Sequence, residues 1–217
     1  MSKIIVVDDH ALFREGIKLL IENEGLGKVI AEAENGQVLL EMLETLQPDL
    51  VIMDIEMPVM GGLEATRKVL QIRPELRILV LTMLNDKANY FEMTNAGVSG
   101  FVLKTAGKKE FEKAINAIIR GECYFSNDVL RQIILSIDNN GEVTLNKANW
   151  HHEKLTSREN EVLQYFCEGL TVSEIASKLF LSIKTVESHR SALLKKTNTK
   201  NTINLVLYAI KNNMVSL

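Results

Sequence analysis

Cysteine and proline are both scarce in this chain. It holds two cysteines and three prolines in 217 residues. Cys123 and Cys167 stand far apart, with no CxxC pair and no histidine at metal-ligand spacing. A disulfide framework and a cysteine-built zinc site are therefore not expected, and a reducing cytoplasm is the expected setting. Both thiols read as small core or half-buried residues. Long apolar runs are missing too. No stretch approaches the ~18 residues of a membrane span, so no membrane partner is expected. The N-terminal run Ile4-Ile5-Val6-Val7 stops at Asp8-Asp9, which reads as a first strand and not as a signal peptide.

What remains is the composition of a globular protein, 46% hydrophobic and 24% charged. Its length allows one large domain or two smaller ones. The net charge of −3 conceals a split. Residues 1–125 carry 14 Lys and Arg against 19 Asp and Glu, whereas residues 151–217 carry 9 against 6. A basic tail behind an acidic body suggests an anionic partner for the tail, although the excess is modest.

The first part alternates strand and helix patterns. Strands read at 3–8, 28–33, 49–54, 77–82 and 100–103, with amphipathic stretches at 11–24, 36–46, 62–72, 86–96 and 107–120. Five βα units with short connections predict an α/β domain built on a parallel sheet with helices on both faces. Pro48 and Pro74 stand just before the third and fourth strands, where a helix must end. Residues 1–125 form this domain and 126–153 a linker. Val129, Leu130, Ile133, Ile134 and Ile137 sit at the spacing of one short helix there, and Trp150 is an isolated aromatic. Residues 154–217 hold one glycine, Gly169, and no proline. They read as four helices at 157–168, 172–179, 183–196 and 201–213. Thr156 with Glu159 and Thr171 with Glu174 have the spacing of capping boxes, and Ser182 with Thr185 repeats it more weakly. Two helices across a tight connection near 172–196 suggest a helix-turn-helix.

Chemistry concentrates at the strand ends. The run Leu50-Val51-Ile52-Met53 delivers Asp54, and Ile4-Ile5-Val6-Val7 delivers Asp8 and Asp9. Leu79-Val80-Leu81 delivers Thr82, and Gly100-Phe101-Val102-Leu103 delivers Lys104. Fully apolar runs read as strands buried on both faces, and ligands of such sheets bind at the carboxyl edge. Asp9 and Asp54 offer carboxylate oxygens to a hard ion such as Mg²⁺, with Asp8 acting through water and the Glu56 main-chain carbonyl beside them. Asp54 fits a phosphoryl acceptor. Thr82 offers a hydroxyl and Lys104 a mobile positive charge to a phosphoryl oxygen. Taken singly, each is more often a cap, a turn former or a solvated charge; four strand ends supplying fitting groups at one edge change that balance.

These residues carry a resemblance. Val7-Asp8-Asp9-His10, Asp54 with Met57-Pro58 and Gly61-Gly62, Thr82, Ala96-Gly97 and Gly100-Phe101-Val102-Leu103-Lys104 resemble the receiver domain of two-component response regulators. Leu155-Thr156-Ser157-Arg158-Glu159, Glu161-Val162-Leu163, Gly169, Glu174-Ile175-Ala176 and Lys184-Thr185-Val186-Glu187-Ser188-His189 resemble the LuxR-type helix-turn-helix. Together they resemble the NarL/FixJ class. The resemblance implies a five-stranded, doubly wound, flavodoxin-like receiver and a small all-α DNA-binding domain. It implies that Asp54 accepts phosphate from a sensor histidine kinase, that Thr82 and Lys104 sense it, and that Phe101 reorients with them. It also implies a homodimer on promoter DNA, paired through the last helix with Val206, Leu207, Ala209 and Ile210, and no turnover of an external substrate.

Within the second helix of the motif, Glu187, Ser188 and Ser191 are then expected at base edges, with Thr185 in the same stretch. Lys184, Arg190, Lys195, Lys196 and Lys200 are expected on phosphates. Two departures stand out. Met83 follows Thr82 where the family usually has a small residue, and is expected to crowd phosphoryl access or slow hydrolysis. Thr105 follows Lys104 where many receivers have proline. A cis bond there would cost ~3 kcal/mol, and the sequence leaves the isomer open. It also leaves open a rival reading, a regulator that binds DNA without phosphorylation and uses its receiver only to dimerise.

Overall fold

The computed structural model describes residues 1–83, 87–126, 128–130, 155–199, 201–212 and 214, of which 87–89, 91 and 211 are described in backbone only. It divides into two compact units, Met1–Val129 and Leu130–Leu217.

The first unit is a parallel sheet in the order β2-β1-β3-β4-β5-β6. Its strands are β1 (Lys3–Val7), β2 (Lys28–Ala33), β3 (Leu50–Asp54), β4 (Arg77–Thr82), β5 (Gly100–Leu103) and β6 (Tyr124–Phe125). Helices α1 (Ala11–Asn23), α2 (Gly36–Leu43), α3 (Gly62–Ile72), α4 (Lys87–Ala96) and α5 (Lys108–Ile119) connect them. The apolar runs are buried on both faces, as their lack of alternation requires: Ile4, Ile5, Leu50, Val51, Ile52, Ile78, Leu79 and Val80 are fully inaccessible. Burying each such side chain contributes about 1.5–3 kcal/mol before entropic costs. Helix α2 starts at Asn35, whose side chain accepts from the Gln37 and Val38 amides at 2.9 and 3.0 Å.

One strand was not expected. β6 pairs in parallel with β5, Gly100 opposite Tyr124 and Phe101 opposite Phe125. Glycine makes room for it: a Cβ at residue 100 would lie 2.2 Å from the Tyr124 carbonyl oxygen. The sheet therefore has six strands, the last too short for any periodicity to show.

The order β2-β1-β3 means that the chain reverses its direction of sheet growth after β2. β1 and β3 become neighbours, paired from Ile4–Leu50 to Val7–Met53. Their carboxyl ends, carrying Asp8-Asp9 and Asp54, lie at the switch point where doubly wound sheets bind ligands.

The second unit is helical: α6 (Ser157–Cys167), α7 (Val172–Lys178), α8 (Ile183–Thr197) and α9 (Thr202–Lys211). Both capping boxes are complete. The Thr156 hydroxyl accepts from the Glu159 amide at 3.2 Å, and the Glu159 carboxylate accepts from the Thr156 amide at 2.7 Å. Thr171 and Glu174 repeat the pattern at 3.3 and 2.9 Å. Ser182 accepts from the Thr185 amide at 3.0 Å without a reciprocal bond. Gly169 takes a φ of 80° just past α6, and Asn198 takes 51° at the end of α8. Val162, Leu163, Phe166, Ile175, Ala176, Val186 and Leu193 fill the core. Leu179 and Leu194 are only half-buried. Residues 128–130 are helical; the rest of the expected linker helix and Trp150 fall outside the described residues.

Candidate functional site: a strand-end acidic pocket and an exposed helix stripe

The carboxyl edge of the sheet brings the expected groups together. Lys104 reaches back from the end of β5 and places Nζ 2.7 Å from Asp54 Oδ2 and 2.8 Å from Asp8 Oδ2. Both carboxylates are buried, and the lysine side chain is 12% exposed. The Phe13 ring lies beneath the ammonium at 5.1 Å. The Ile55 amide donates to Asp54 Oδ1 at 2.8 Å, and the His10 amide to Asp8 Oδ1 at 2.8 Å. Arg14 donates to the Asp8 carbonyl. Gly62 lets α3 begin against this edge, since a Cβ there would lie 2.0 Å from the Asp54 carbonyl oxygen.

Burial pushes the Asp54 carboxyl above its ordinary value, while Lys104 and the Ile55 amide pull against it and Asp8 adds to it. Burial pulls the Lys104 ammonium down, but Asp54 and Asp8 outweigh it and leave it raised. The pocket thus holds more negative charge than its one lysine balances. Although Lys104 sits 2.8 Å from Asp8 Oδ2, that buried oxygen accepts no hydrogen bond of good geometry. Ligand atoms of Asp8, Asp9, His10 and Asp54 lie within 4.8 Å of one another. The three carboxylates of this set fit a hard, oxygen-seeking dication. Glu56 is exposed in the loop that follows β3.

Thr82 is fully buried, and its hydroxyl donates to the Met83 carbonyl at 3.1 Å. Tyr90 of α4 donates to the same carbonyl at 2.9 Å. Its ring meets Phe101 edge-on, centroids 5.7 Å apart, and Phe101 is fully buried. Tyr90 was not singled out from the sequence: a lone tyrosine in a polar helix gives no signal, and its partner is the main chain. Met83 is 53% exposed and lines, with Leu12, Phe13 and Ile17, an apolar cleft of about 580 Å³ that also includes His10 and Lys104. Every peptide bond among the described residues is trans, Lys104–Thr105 included.

In the second unit, Lys184, Ser188, Ser191 and Lys195 are exposed along α8. Their spacing of four, three and four residues puts them on one stripe. Thr185 and Glu187 are half-buried beside it. The Ser188 hydroxyl donates to the Lys184 carbonyl at 2.9 Å. Arg190 pairs with Glu187 at 2.9 Å. Lys196 is not on the stripe: its Nζ lies 2.8 Å from Glu159 Oε2, tying α8 to the start of α6. Lys200 falls outside the described residues. Val206, Leu207 and Ala209 of α9 are buried within the single chain, and Ile210 is half-buried. Among the described residues, no helix is long and apolar enough to cross a membrane.

Known proteins show both halves. Residues 4–116 match the response regulator receiver domain, and residues 153–209 match the bacterial regulatory proteins of the luxR family. The oxygen regulatory protein NreC of Staphylococcus carnosus is 33% identical over 98% of this chain and 99% of its own. The transcriptional regulatory protein DegU of Brevibacillus brevis is 32% identical over 99% and 95%. The RcsB response regulator of Salmonella typhimurium matches in structure with a TM-score of 0.59 and 30% identity, over 95% of this chain and 97% of that one. RcsB solved as two dimers bound to two parallel DNAs matches with a TM-score of 0.57 and 28% identity, over 99% of each chain. The chain belongs to the NarL/FixJ class of two-component response regulators, DNA-binding regulators of transcription that join a receiver domain to a LuxR-type helix-turn-helix.

Proposed function

We propose that Asp54 accepts a phosphoryl group from a sensor histidine kinase, and that this modification switches dimerisation and promoter binding. The observation that carries the reading is Lys104 held between Asp54 and Asp8 at 2.7 and 2.8 Å, at the sheet's switch point. Residues 1–125 act as the receiver, 126–153 as the linker and 154–217 as the DNA-binding domain, in the cytoplasm. Asp8, Asp9, Asp54 and the Glu56 carbonyl would hold Mg²⁺, which when bound supplies charge neutralisation to the transferred group. Asp54 is the acceptor, and its own phosphate is the only one the chain turns over.

The residues of the chain do the rest. Phosphorylation adds about −1.5 to −2 charge beside Lys104, which leaves Asp8 for a phosphoryl oxygen. Thr82 turns its hydroxyl from the Met83 carbonyl toward the same group. Phe101, packed on Tyr90, transmits the shift to α4. Met83, placed in the cleft beside Lys104, narrows the approach of water and prolongs the phosphorylated state. Reversing a 1:99 population takes about 5.5 kcal/mol of differential interaction, which several such charge-assisted contacts have to supply together. Pairing through α9 requires Val206, Leu207 and Ala209 to be uncovered first. On DNA, Lys184 and Lys195 meet phosphates with Arg190 and Lys200, while Glu187, Ser188 and Ser191 face bases and Thr185 lies alongside.

The test is selection of genomic DNA fragments with and without a small-molecule phosphodonor and Mg²⁺, for the wild type and Asp54→Asn. Enrichment of paired half-sites in the phosphodonor arm of the wild type alone is expected. Equal enrichment in every arm would leave a DNA-binding protein whose receiver serves only to dimerise.

A further inference from the structure

His10 follows the Asp8-Asp9 pair, and the phosphorylation chemistry makes no use of its side chain. Its Nδ1 lies 2.8 Å from Asp9 Oδ1 and 3.2 Å from Asp8 Oδ1. One imidazole nitrogen and one oxygen from each of Asp8, Asp9 and Asp54 fall within 4.8 Å of one another. Ligands on opposite sides of an ion at ~2.0–2.2 Å stand roughly 4–4.5 Å apart. All four atoms therefore lie within reach of a single ion after small side-chain rotations. The carboxylates are already aimed at a cation, since Lys104 Nζ sits 2.7 Å from Asp54 and 2.8 Å from Asp8. The contacts of the imidazole nitrogen are with these same two carboxylates, Asp8 and Asp9. The side chain is 71% exposed, and His10 is the N-cap of α1 without any side-chain capping bond.

We propose that His10 is a further side-chain ligand of the acidic pocket and that it biases the pocket toward first-row transition divalents, Co²⁺ and Zn²⁺ above Mn²⁺, over Mg²⁺. The inference rests on the reading of Asp8, Asp9 and Asp54 as a metal site. Its chemistry is that of the donor atoms. An all-oxygen pocket suits Mg²⁺, which is reluctant to give up water. A nitrogen donor added to three carboxylates suits Co²⁺ and Zn²⁺ better, and affinity rises along the series from Mn²⁺. The His10 side chain then sets which ion occupies the pocket when several compete, while its main-chain amide, 2.8 Å from Asp8 Oδ1, orients Asp8 whatever the side chain.

The test uses the full-length chain and two metals, Mg²⁺ and Co²⁺, each titrated by calorimetry, with the visible absorption of Co²⁺ reporting its ligand set. His10→Ala keeps the amide that orients Asp8. It is expected to lower Co²⁺ affinity on the order of tenfold or more, to change Mg²⁺ affinity by less than about threefold, and to shift the Co²⁺ absorption bands. Asp9→Asn is expected to remove the same bands. Parallel losses of Co²⁺ and Mg²⁺ affinity would overturn the proposal, because His10 would then only hold Asp9 in place. Bands that survive either substitution would also overturn it, since the nitrogen would belong to another of the chain's four histidines. If the wild type binds Mg²⁺ and His10→Ala leaves the Co²⁺ to Mg²⁺ ratio unchanged, only the role of His10 falls. If neither ion binds the wild type, the metal reading of the pocket falls with it.

Discussion

Each half of the molecule sets a half-buried lysine against buried carboxylate, and the two arrangements are built differently. In the receiver, one ammonium serves two buried carboxylates: Lys104 lies between Asp54 and Asp8, with Asp9 beside them. In the DNA-binding unit the match is one to one, Lys196 to Glu159, and Glu159 also takes the Thr156 amide. Burial raises both acids. For Asp54 the burial effect wins and the carboxyl stays raised; for Glu159, Lys196 and Thr156 outweigh it and the carboxyl ends lowered. A balanced buried pair holds helices together and has nothing left to offer a ligand. An unbalanced one leaves a deficit of positive charge, which is what a site for a metal ion requires.

The largest effect should come from unbalancing the balanced pair. Lys196→Ala leaves the Glu159 carboxylate buried without its cation, and the second unit should lose about 2–3 kcal/mol of stability. Denaturant unfolding followed in that unit measures it. Lys184, exposed at the start of α8, gives the contrast. Lys184→Ala should cost under about 0.5 kcal/mol, weaken DNA binding across sequences, and lower the salt slope by ~1. A Lys196→Ala protein with unchanged stability and a lowered salt slope would erase the distinction between a structural lysine and a phosphate-binding one.

That distinction marks how far the sequence could be read. The apolar runs ending in Asp8-Asp9, Asp54, Thr82 and Lys104 located the strand-end pocket, because a fully buried strand fixes where its last residue emerges. The capping boxes at Thr156 and Thr171 located two helix starts, since their partners are three residues away. Lys196 was legible as a basic residue on the right helix but not as the partner of Glu159, which lies 37 positions earlier. Tyr90 was invisible for a related reason: its hydroxyl bonds a main-chain carbonyl that any residue at position 83 would supply. β6 escaped because two residues have no period, and the glycine that admits it reads as an ordinary strand residue.

The next effect sharpens the comparison through pH. The Asp54 carboxyl is raised in the folded chain. Its contribution to stability is therefore fully present below the unfolded value of ~3.9 and is lost as pH rises through the folded value. Glu159 is lowered, so its contribution is present above the unfolded value of ~4.3 and is lost as pH falls through the folded one. In chelator, the slopes should have opposite sign, the receiver losing stability as pH rises above ~3.9 and the second unit losing it as pH falls below ~4.3, resolved by hydrogen exchange in each. Asp54→Asn removes the excess charge and should stabilise the receiver at neutral pH by about 1 kcal/mol, at the expense of the proposed phosphoryl acceptor. Parallel slopes in the two units would mean that the charge mismatch around Asp54 is screened away.

The smallest effect concerns strain, and here the two units are alike. Val59, in the loop after Asp54, has a φ of 65° and is 85% exposed; Phe180, in the turn between α7 and α8, has a φ of 53° and is 96% exposed. Left-handed backbone costs a residue with a Cβ about 1 kcal/mol, and neither side chain buries apolar surface in return. Val59→Gly should therefore stabilise the receiver by about 0.5–1 kcal/mol, the β-branch making its relief the larger. Phe180→Gly should gain less than about 0.5 kcal/mol in the second unit, because glycine's added freedom in the unfolded chain offsets most of the relief. Strain retained without a packing reward points to function at the neighbouring site. Val59→Gly should then slow phosphodonor-dependent labelling of Asp54, and Phe180→Gly should weaken DNA binding despite its gain in stability. If both variants become more stable while labelling and binding hold at wild-type levels, the two turns are alike in strain alone, and the difference between the halves rests on charge.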